Sequence, residues 1–209
     1  MRKMIEHVYV YGMAESIVAS GYPMRTTNKS FEDDVKIVAW GLDTEKTDGF
    51  RDFFRGVRLG TAPMGSGHDN YLKGIIAQFD MTASEKLWTQ AQRYGHLDYV
   101  SSMSVMHKGS KMDIEKCVNK YVDTRIIEIL KTKQQEYNDK PTEENFLSFV
   151  YNIPSGFLLT ARMTTNYQQL KTIWYQRNKH RLPEWRRLCR EIEQLPYFKM
   201  LCIRGDLNE

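Results

Sequence analysis

Three sets of side chains in this sequence have the types and spacing to hold or transform a ligand. The first lies between Arg162 and Arg177. Arg162 and Thr164 leave an alternating run just before Asn166, whose side chain suits a helix N-cap, with Gln169 three residues on as in a capping box. Cationic and hydroxyl donors then meet the free backbone N–H groups of a helix start, a combination that suits an anion such as phosphate. From Lys171 to Arg190 seven Lys or Arg stand against one Glu, which strengthens the local positive field. A solvated basic face with an ordinary cap is the plainer reading of the same residues.

The second set is Ser101, Ser102, Ser104 and His107. Hydroxyls beside an imidazole suggest nucleophilic catalysis, yet no GxSxG elbow and no fixed third member accompany them. Hydrogen bonding to a ligand phosphate or to local backbone suits them better. His96 and His107, eleven residues apart with no Cys or acidic partner at ligand spacing, do not make a metal site. The third set is Gly60 to Gly67, GTAPMGSG, which invites a phosphate-loop reading. The Lys-Ser/Thr pair that must follow is missing and His68-Asp69 stands there instead, so the glycines serve turns.

The elements that position these groups follow from periodicity. A turn at Pro154 to Gly156 precedes a strand in which Phe157, Leu159, Ala161 and Met163 share an apolar face, and Leu158, Thr160, Arg162 and Thr164 the other. Leu170, Ile173 and Trp174 then fall at helical spacing, with Arg177 one turn beyond Trp174 at the stripe's edge. Pro183 opens a second helix, buried through Trp185, Leu188, Cys189 and Ile192.

Upstream, Ile5 to Tyr11 reads as a strand, Met13 to Ser20 as a helix ended by Gly21 and Pro23, and Phe31 to Trp40 as a further strand. Asp48 caps a helix from Gly49 to Leu59, with Phe50, Phe53, Phe54 and Val57 as a core stripe. A short helix over His68 to Leu72 leads into a strand from Lys73 to Met81, with Ile75, Ala77, Phe79 and Met81 on one face. Ser84 to Tyr94 is a helix that buries Leu87, Trp88 and Ala91 and ends at Gly95. Residues 96–107 form a strand or extended loop. Ile114 to Tyr137 reads as the longest helix, buried through Val118, Val122, Ile126, Ile129 and Leu130. Lys131 to Glu144 reads as a frayed helix end and surface loop, and Asn145 to Val150 as a further turn or two.

The 209 residues fit one domain, 1–209, long enough to bury a sizeable core. Apolar residues at 41% and charged residues at 27% are ordinary for a soluble globular chain. A net charge of +4 is too small for a polycation that coats nucleic acid, so any basic site is local. Nucleic-acid binding through Lys171 to Arg190 is disfavoured because Trp174 and Trp185, the candidate stacking rings, fall on apolar stripes. No apolar run approaches a membrane span, and the start lacks a signal peptide's apolar core, so the expected location is the cytoplasm. Three cysteines without a CxxC agree with reduced, packed thiols.

Several of these spacings together resemble the flavin-dependent thymidylate synthases, which methylate dUMP using FAD, NADPH and a methylene-folate. That family carries Arg-His-Arg, seven residues, then Ser; here Arg93, YGHLDYV and Ser101 reproduce the second half. His68 and Phe79 match a His and a Phe eleven residues apart, and Pro154, Asn166 and Arg177 match a downstream Pro, a helix-opening Asn and an Arg three turns along. The resemblance covers about Ile5 to Leu195. It implies an α+β fold with a mixed or antiparallel sheet packed with helices, long helices at the subunit interface, and a homotetramer whose nucleotide and flavin sites lie between subunits. Carried over, His68, Arg93 and Asn166 lie near the flavin and Ser101 near the nucleotide phosphate, with Ser102 and Arg162 as further nucleotide contacts. Arg177 takes the catalytic position against the pyrimidine or its phosphate. The chain is also similar to proteins of phages that infect Gram-positive bacteria, which makes the expected location the host cytoplasm.

The departures define a second reading. Ala91 and Gln92 replace the first Arg and His of the motif, Asp98-Tyr99 an Asn-Glu pair, Met103-Ser104 an Arg-Tyr pair, and Val150 an Arg. Each charge-assisted hydrogen bond lost removes roughly 1.5 to 3 kcal/mol, which weakens the expected hold on FAD; Arg162, His107 and Lys108 are the available substitutes. Two functions follow. One is a divergent flavin enzyme that methylates dUMP or a related deoxynucleotide. The other is a catalytically silent phage protein that binds or sequesters a nucleotide or nucleotide signal on the same fold.

Overall fold

The computed structural model describes residues 3–26, 30–46 and 51–203. Its elements run β1 (Ile5–Tyr11), α1 (Met13–Ala19), α2 (Phe31–Asp43), α3 (Arg51–Gly60), β2 (Ile76–Ser84), α4 (Glu85–Ala91), β3 (Leu97–Ser102), α5 (Val105–Lys108), α6 (Thr124–Asp139), α7 (Glu143–Tyr151), β4 (Leu158–Asn166), α8 (Tyr167–Arg177), α9 (Pro183–Ile192) and α10 (Phe198–Cys202). The four strands pair in the order β1-β2-β4-β3. Glu85 N–H bonds the Phe157 carbonyl at one end of the β2–β4 pair and Tyr167 N–H the Ile75 carbonyl at the other. Residue numbers rise along one strand as they fall along its neighbour, so the pair is antiparallel. The fold is α+β.

The described residues fall into two compact units, one from 3–6, 80–94 and 99–163, the other from 7–26, 30–46, 51–79, 95–98 and 164–203. In the first, Val105, Ile114, Leu130, Phe149 and Phe157 form a buried cluster. Gln134 on α6 ties this layer down by donating to the carbonyls of Gly109 (2.7 Å) and Met112 (2.9 Å). In the second, Ile17, Val18, Phe53, Leu72, Tyr167, Ile173, Trp185 and Phe198 are buried. The Tyr167 hydroxyl donates to the Pro196 carbonyl at 2.7 Å, which satisfies the one polar atom of a buried ring.

The alternating and capped segments form as their patterns predict. On β4, Ala161 and Met163 are buried and Arg162 and Thr164 half-buried; on β2, Ala77, Phe79 and Met81 point inward. Ser84 caps α4 by accepting from Leu87 N–H (3.3 Å), and Asn166 caps α8 by accepting from Gln169 N–H (2.9 Å). Gly65 and Gly67 take left-handed φ values of 84° and 75°, which confirms their turn role.

Four readings are corrected. Phe31 to Trp40 is not a strand but most of α2: Glu32, Asp33 and Asp34 fill its first turn, where the helix dipole favours negative charge. Burial follows a helical repeat through Val35, Val38 and Leu42, leaving Ile37 and Trp40 exposed. The long helix from Ile114 is interrupted, because Val118 bridges Phe157, Asn119 N–H bonds the Gly156 carbonyl, and Asp123 caps a new helix through Arg125 N–H. That restart rotates the buried face onto Ile127 and Leu130 and leaves Ile126 and Ile129 exposed. Lys131 to Asp139 is ordered helix, and Asn145 closes its end by donating to the Lys140 and Glu136 carbonyls. Phe54 is exposed beside buried Phe53. The expected Asp48 cap and Phe50 lie outside the described residues.

Candidate functional site

A cavity of about 350 Å³ opens in the first unit, walled by α4, the end of β3 and the start of β4. Its α4 wall arises from spacing. Glu85, Trp88, Thr89 and Gln92 lie at i, i+3, i+4 and i+7, one helical face, while Leu87 and Ala91 point into the core. The helix start is pinned to the strand, since Glu85 N–H donates to the Phe157 carbonyl (2.9 Å) and Lys86 N–H to the Ser155 carbonyl (3.0 Å). Trp88 is nearly buried, and its indole N–H donates to the Leu159 carbonyl at 3.2 Å. Tyr99 packs against it with ring centroids 5.2 Å apart and 43° between planes, and stays 45% exposed on its other side. Ser102, Met103, Leu159 and Ala161 complete the lining.

The polar groups of this cavity are unevenly matched. Thr89 Oγ1 bonds the Glu85 carbonyl (2.9 Å), so that hydroxyl is committed locally. The Glu85 carboxylate has neither an ion pair nor a hydrogen bond among the described residues, and burial pushes its pKa up. Burial also raises the Tyr99 phenol. Among the described residues no Lys, Arg or His lines the cavity. An aromatic wall with a carboxylate, an amide and a hydroxyl, and no cation, is suited to a flat heteroaromatic ring rather than to a phosphate.

The expected site residues of this unit distribute around that cavity. Ser102 lines it; Ser101 is exposed on the same strand, and Arg93 is exposed just beyond α4. Arg162 alternates with Ala161 on β4 and therefore leaves from the opposite face of the sheet, where it pairs with Asp80 on β2 at 3.2 Å. Beside that pair the Thr82 and Thr160 hydroxyls bond at 2.7 Å.

In the second unit α8 organises the remaining candidates. Asn166 spends its side-chain oxygen on Gln169 N–H, and Tyr167 N–H goes to the Ile75 carbonyl (3.0 Å), so two of the free donors at this helix start are already used. Gln168 donates to Asp69 (3.0 Å) and Asn70 (3.3 Å), which draws exposed His68, the neighbour of Asp69, toward the helix start that Asn166 caps. Arg177 ends the same helix, about 16 Å away at 1.5 Å per residue. Its guanidinium lies 4.9 Å from the Trp185 ring centroid, a cation–π contact. His68 and Asn166 are therefore brought to one end, and Arg177 to the other.

Lys171, counted in the sequence among the basic surface residues, is instead 1% exposed. It donates to the carbonyls of Gly60 (2.7 Å) and Ala62 (2.9 Å) and pairs with Asp69 at 2.7 Å. The signal was present, because Lys171 lies four residues after buried Tyr167, one turn along the same face. Glu85 and Thr89 escape the sequence pattern for a related reason: the apolar stripe of α4 stands out and the polar stripe beside it, shared with Gln92, does not.

No protein-family model matches this sequence, and no curated protein matches it significantly. Solved structures do resemble it. The flavin-dependent thymidylate synthase ThyX from Helicobacter pylori, complexed with FAD and dUMP, has a TM-score of 0.70 at 14% identity over 95% of this chain and 98% of that one. A second structure of that protein with FAD and dUMP gives 0.66 at 14% identity, over 97% and 98%. The UMP/dUMP methylase PolB from Streptomyces cacaoi, bound with 5-Br dUMP, gives 0.58 at 14% identity, over 92% and 91%. The chain has the fold of the flavin-dependent thymidylate synthases.

Proposed function

We propose that this chain binds a pyrimidine deoxynucleotide of the dUMP class, with the base in the cavity of the first unit. The observation that carries the reading is that cavity's composition, a half-exposed tyrosine ring backed by a buried tryptophan with amide and hydroxyl groups at hand. It occurs on a fold whose solved relatives hold dUMP or 5-Br dUMP. A base stacked on Tyr99 gains about 1 to 3 kcal/mol. The described lining offers the phosphate no cation, so the reading includes an oligomer, a homotetramer, in which Arg177 of a neighbouring copy meets the charge beside the Ser101 hydroxyl, while Ser102 lines the space for the base. Arg162 reaches the nucleotide in this reading only by leaving Asp80.

FAD is a poorer match to the residues present. Of the three motif positions, Ala91 offers a buried methyl, Gln92 faces the cavity, and only Arg93 is cationic, against a diphosphate with two negative charges. These residues suit a chain that binds or sequesters a nucleotide better than one that holds a flavin. One observation favours the methylating alternative, the fold shared with a synthase solved twice with FAD and dUMP; there His68, Arg93 and Asn166 would face the flavin and Arg177 the pyrimidine.

Thermal melting of the purified chain with dUMP and dCMP tests the binding. A nucleotide at about 100 times its Kd raises stability by about 2.7 kcal/mol, and no shift with any pyrimidine nucleotide overturns the reading. Flavin absorption retained after gel filtration with FAD would restore the methylating alternative. A monomer by light scattering would remove the shared site.

A further inference from the structure

Glu85 is the one lining residue whose charge nothing among the described residues answers. Its backbone is fixed by the Phe157 carbonyl, its side chain lies on the cavity face of α4, and no cation lines the space in front of it. An ionised carboxylate has only acceptor atoms, so it attracts an N–H donor and repels a carbonyl oxygen. The remaining uncommitted polar groups of the lining include the Gln92 amide and the Ser102 hydroxyl, both able to donate. The two pyrimidine bases differ at this point. Uracil presents a carbonyl at C4, and cytosine presents an amino group there with acceptors at N3 and O2.

Resting on the nucleotide reading above, we propose that the cavity selects a 4-aminopyrimidine, a cytosine deoxynucleotide, over uracil, with Glu85 accepting from the C4 amino group and Gln92 and Ser102 donating to the ring acceptors. The base lies against Tyr99. A uracil in the same place would set its C4 oxygen against the carboxylate and present its N3–H, a donor, where cytosine presents an acceptor; only its O2 would keep a match. Sites that match or leave unmatched one buried polar group discriminate strongly between such analogues.

Calorimetric titration of the full chain with dCMP and with dUMP decides the matter, repeated on Glu85→Gln, whose amide both accepts and donates. Unliganded melting of the variant checks that it folds. The expected result is dCMP binding about tenfold or more tighter than dUMP, with the ratio collapsing toward one in the variant. Equal or tighter binding of dUMP by the native chain overturns the selectivity and leaves the nucleotide reading intact. A dCMP preference unchanged in Glu85→Gln overturns the role of that carboxylate. If neither nucleotide binds, the nucleotide reading itself fails and the selectivity with it.

Discussion

Lys171 and Glu85 are both charged groups drawn away from open water, and their surroundings answer them in opposite ways. Lys171 has a carboxylate and two carbonyls within 2.9 Å, each at hydrogen-bond distance, and its side chain is 1% exposed against 5% for Asp69. Glu85 faces a cavity with no partner among the described residues and a pKa raised by burial. A buried charge with every hydrogen bond made is a structural clamp, since nothing is left for a ligand to satisfy. A half-buried charge with nothing opposite it is an energetic deficit that a ligand can remove. Polar residues near one fold's candidate sites thus sort by what remains unmatched, not by residue type.

The sharpest way to break this contrast is to remove one half of the clamp. Lys171→Met leaves Asp69 buried beside no cation and is expected to destabilise the chain by about 3 to 5 kcal/mol, read as a lower midpoint in urea. A loss below 1 kcal/mol would show that the pair is not a clamp. Next in size, Tyr99→Ala is expected to weaken pyrimidine-nucleotide binding by about 1 to 3 kcal/mol while leaving the unliganded melting temperature nearly unchanged. Equal loss of fold and binding would make Tyr99 a packing residue instead.

Asn166→Ala removes the α8 cap and is expected to cost about 1 kcal/mol of stability, read as a lower urea midpoint; an unchanged midpoint would show that the cap contributes nothing. The smallest effect concerns His180. Burial first, then the charges of Arg177 and Arg186, hold its pKa below the usual histidine range, and its Nδ1 already accepts from Leu182 N–H at 3.1 Å. The unfolded chain therefore takes up the proton first as pH falls. Stability declines between the ordinary histidine pKa and the lower folded value. Arg177→Gln should move the NMR titration of His180 upward and shrink that decline; an unmoved midpoint would exclude Arg177 as a cause.

Much of this architecture was legible in local patterns. From Pro154 to Ile192 the turn, strand, cap and two helices follow period-two and helical spacing, because each of those segments has one buried face and a terminal signal. Legibility failed where a local preference lost to long-range pairing. The β-branched run in α2 suggests a strand until the three acidic residues at its start are weighed as helix-dipole partners. The interruption before α6 depends on Val118 meeting Phe157, thirty-nine positions away, which no window of a few turns contains. At the candidate site, sequence pattern points to Ser102 as a hydroxyl near a ligand, whereas it marks Tyr99 only as a departure from the motif and gives no signal for Glu85. Their relevance depends on which strand faces α4, a tertiary fact.

The Val118–Phe157 bridge has a consequence for how this chain tolerates change. Residues 119–156 leave and re-enter the molecule at neighbouring points, so the α6–α7 hairpin is an excursion with clasped roots, held to the core of the first unit by Leu130 and Phe149 and free only at its tip. Lengthening or trimming it at the exposed turn 140–142 alters the branch without moving either root. That makes the tip of this excursion a place where an insertion or a fusion tag can be carried while the sheet keeps its register.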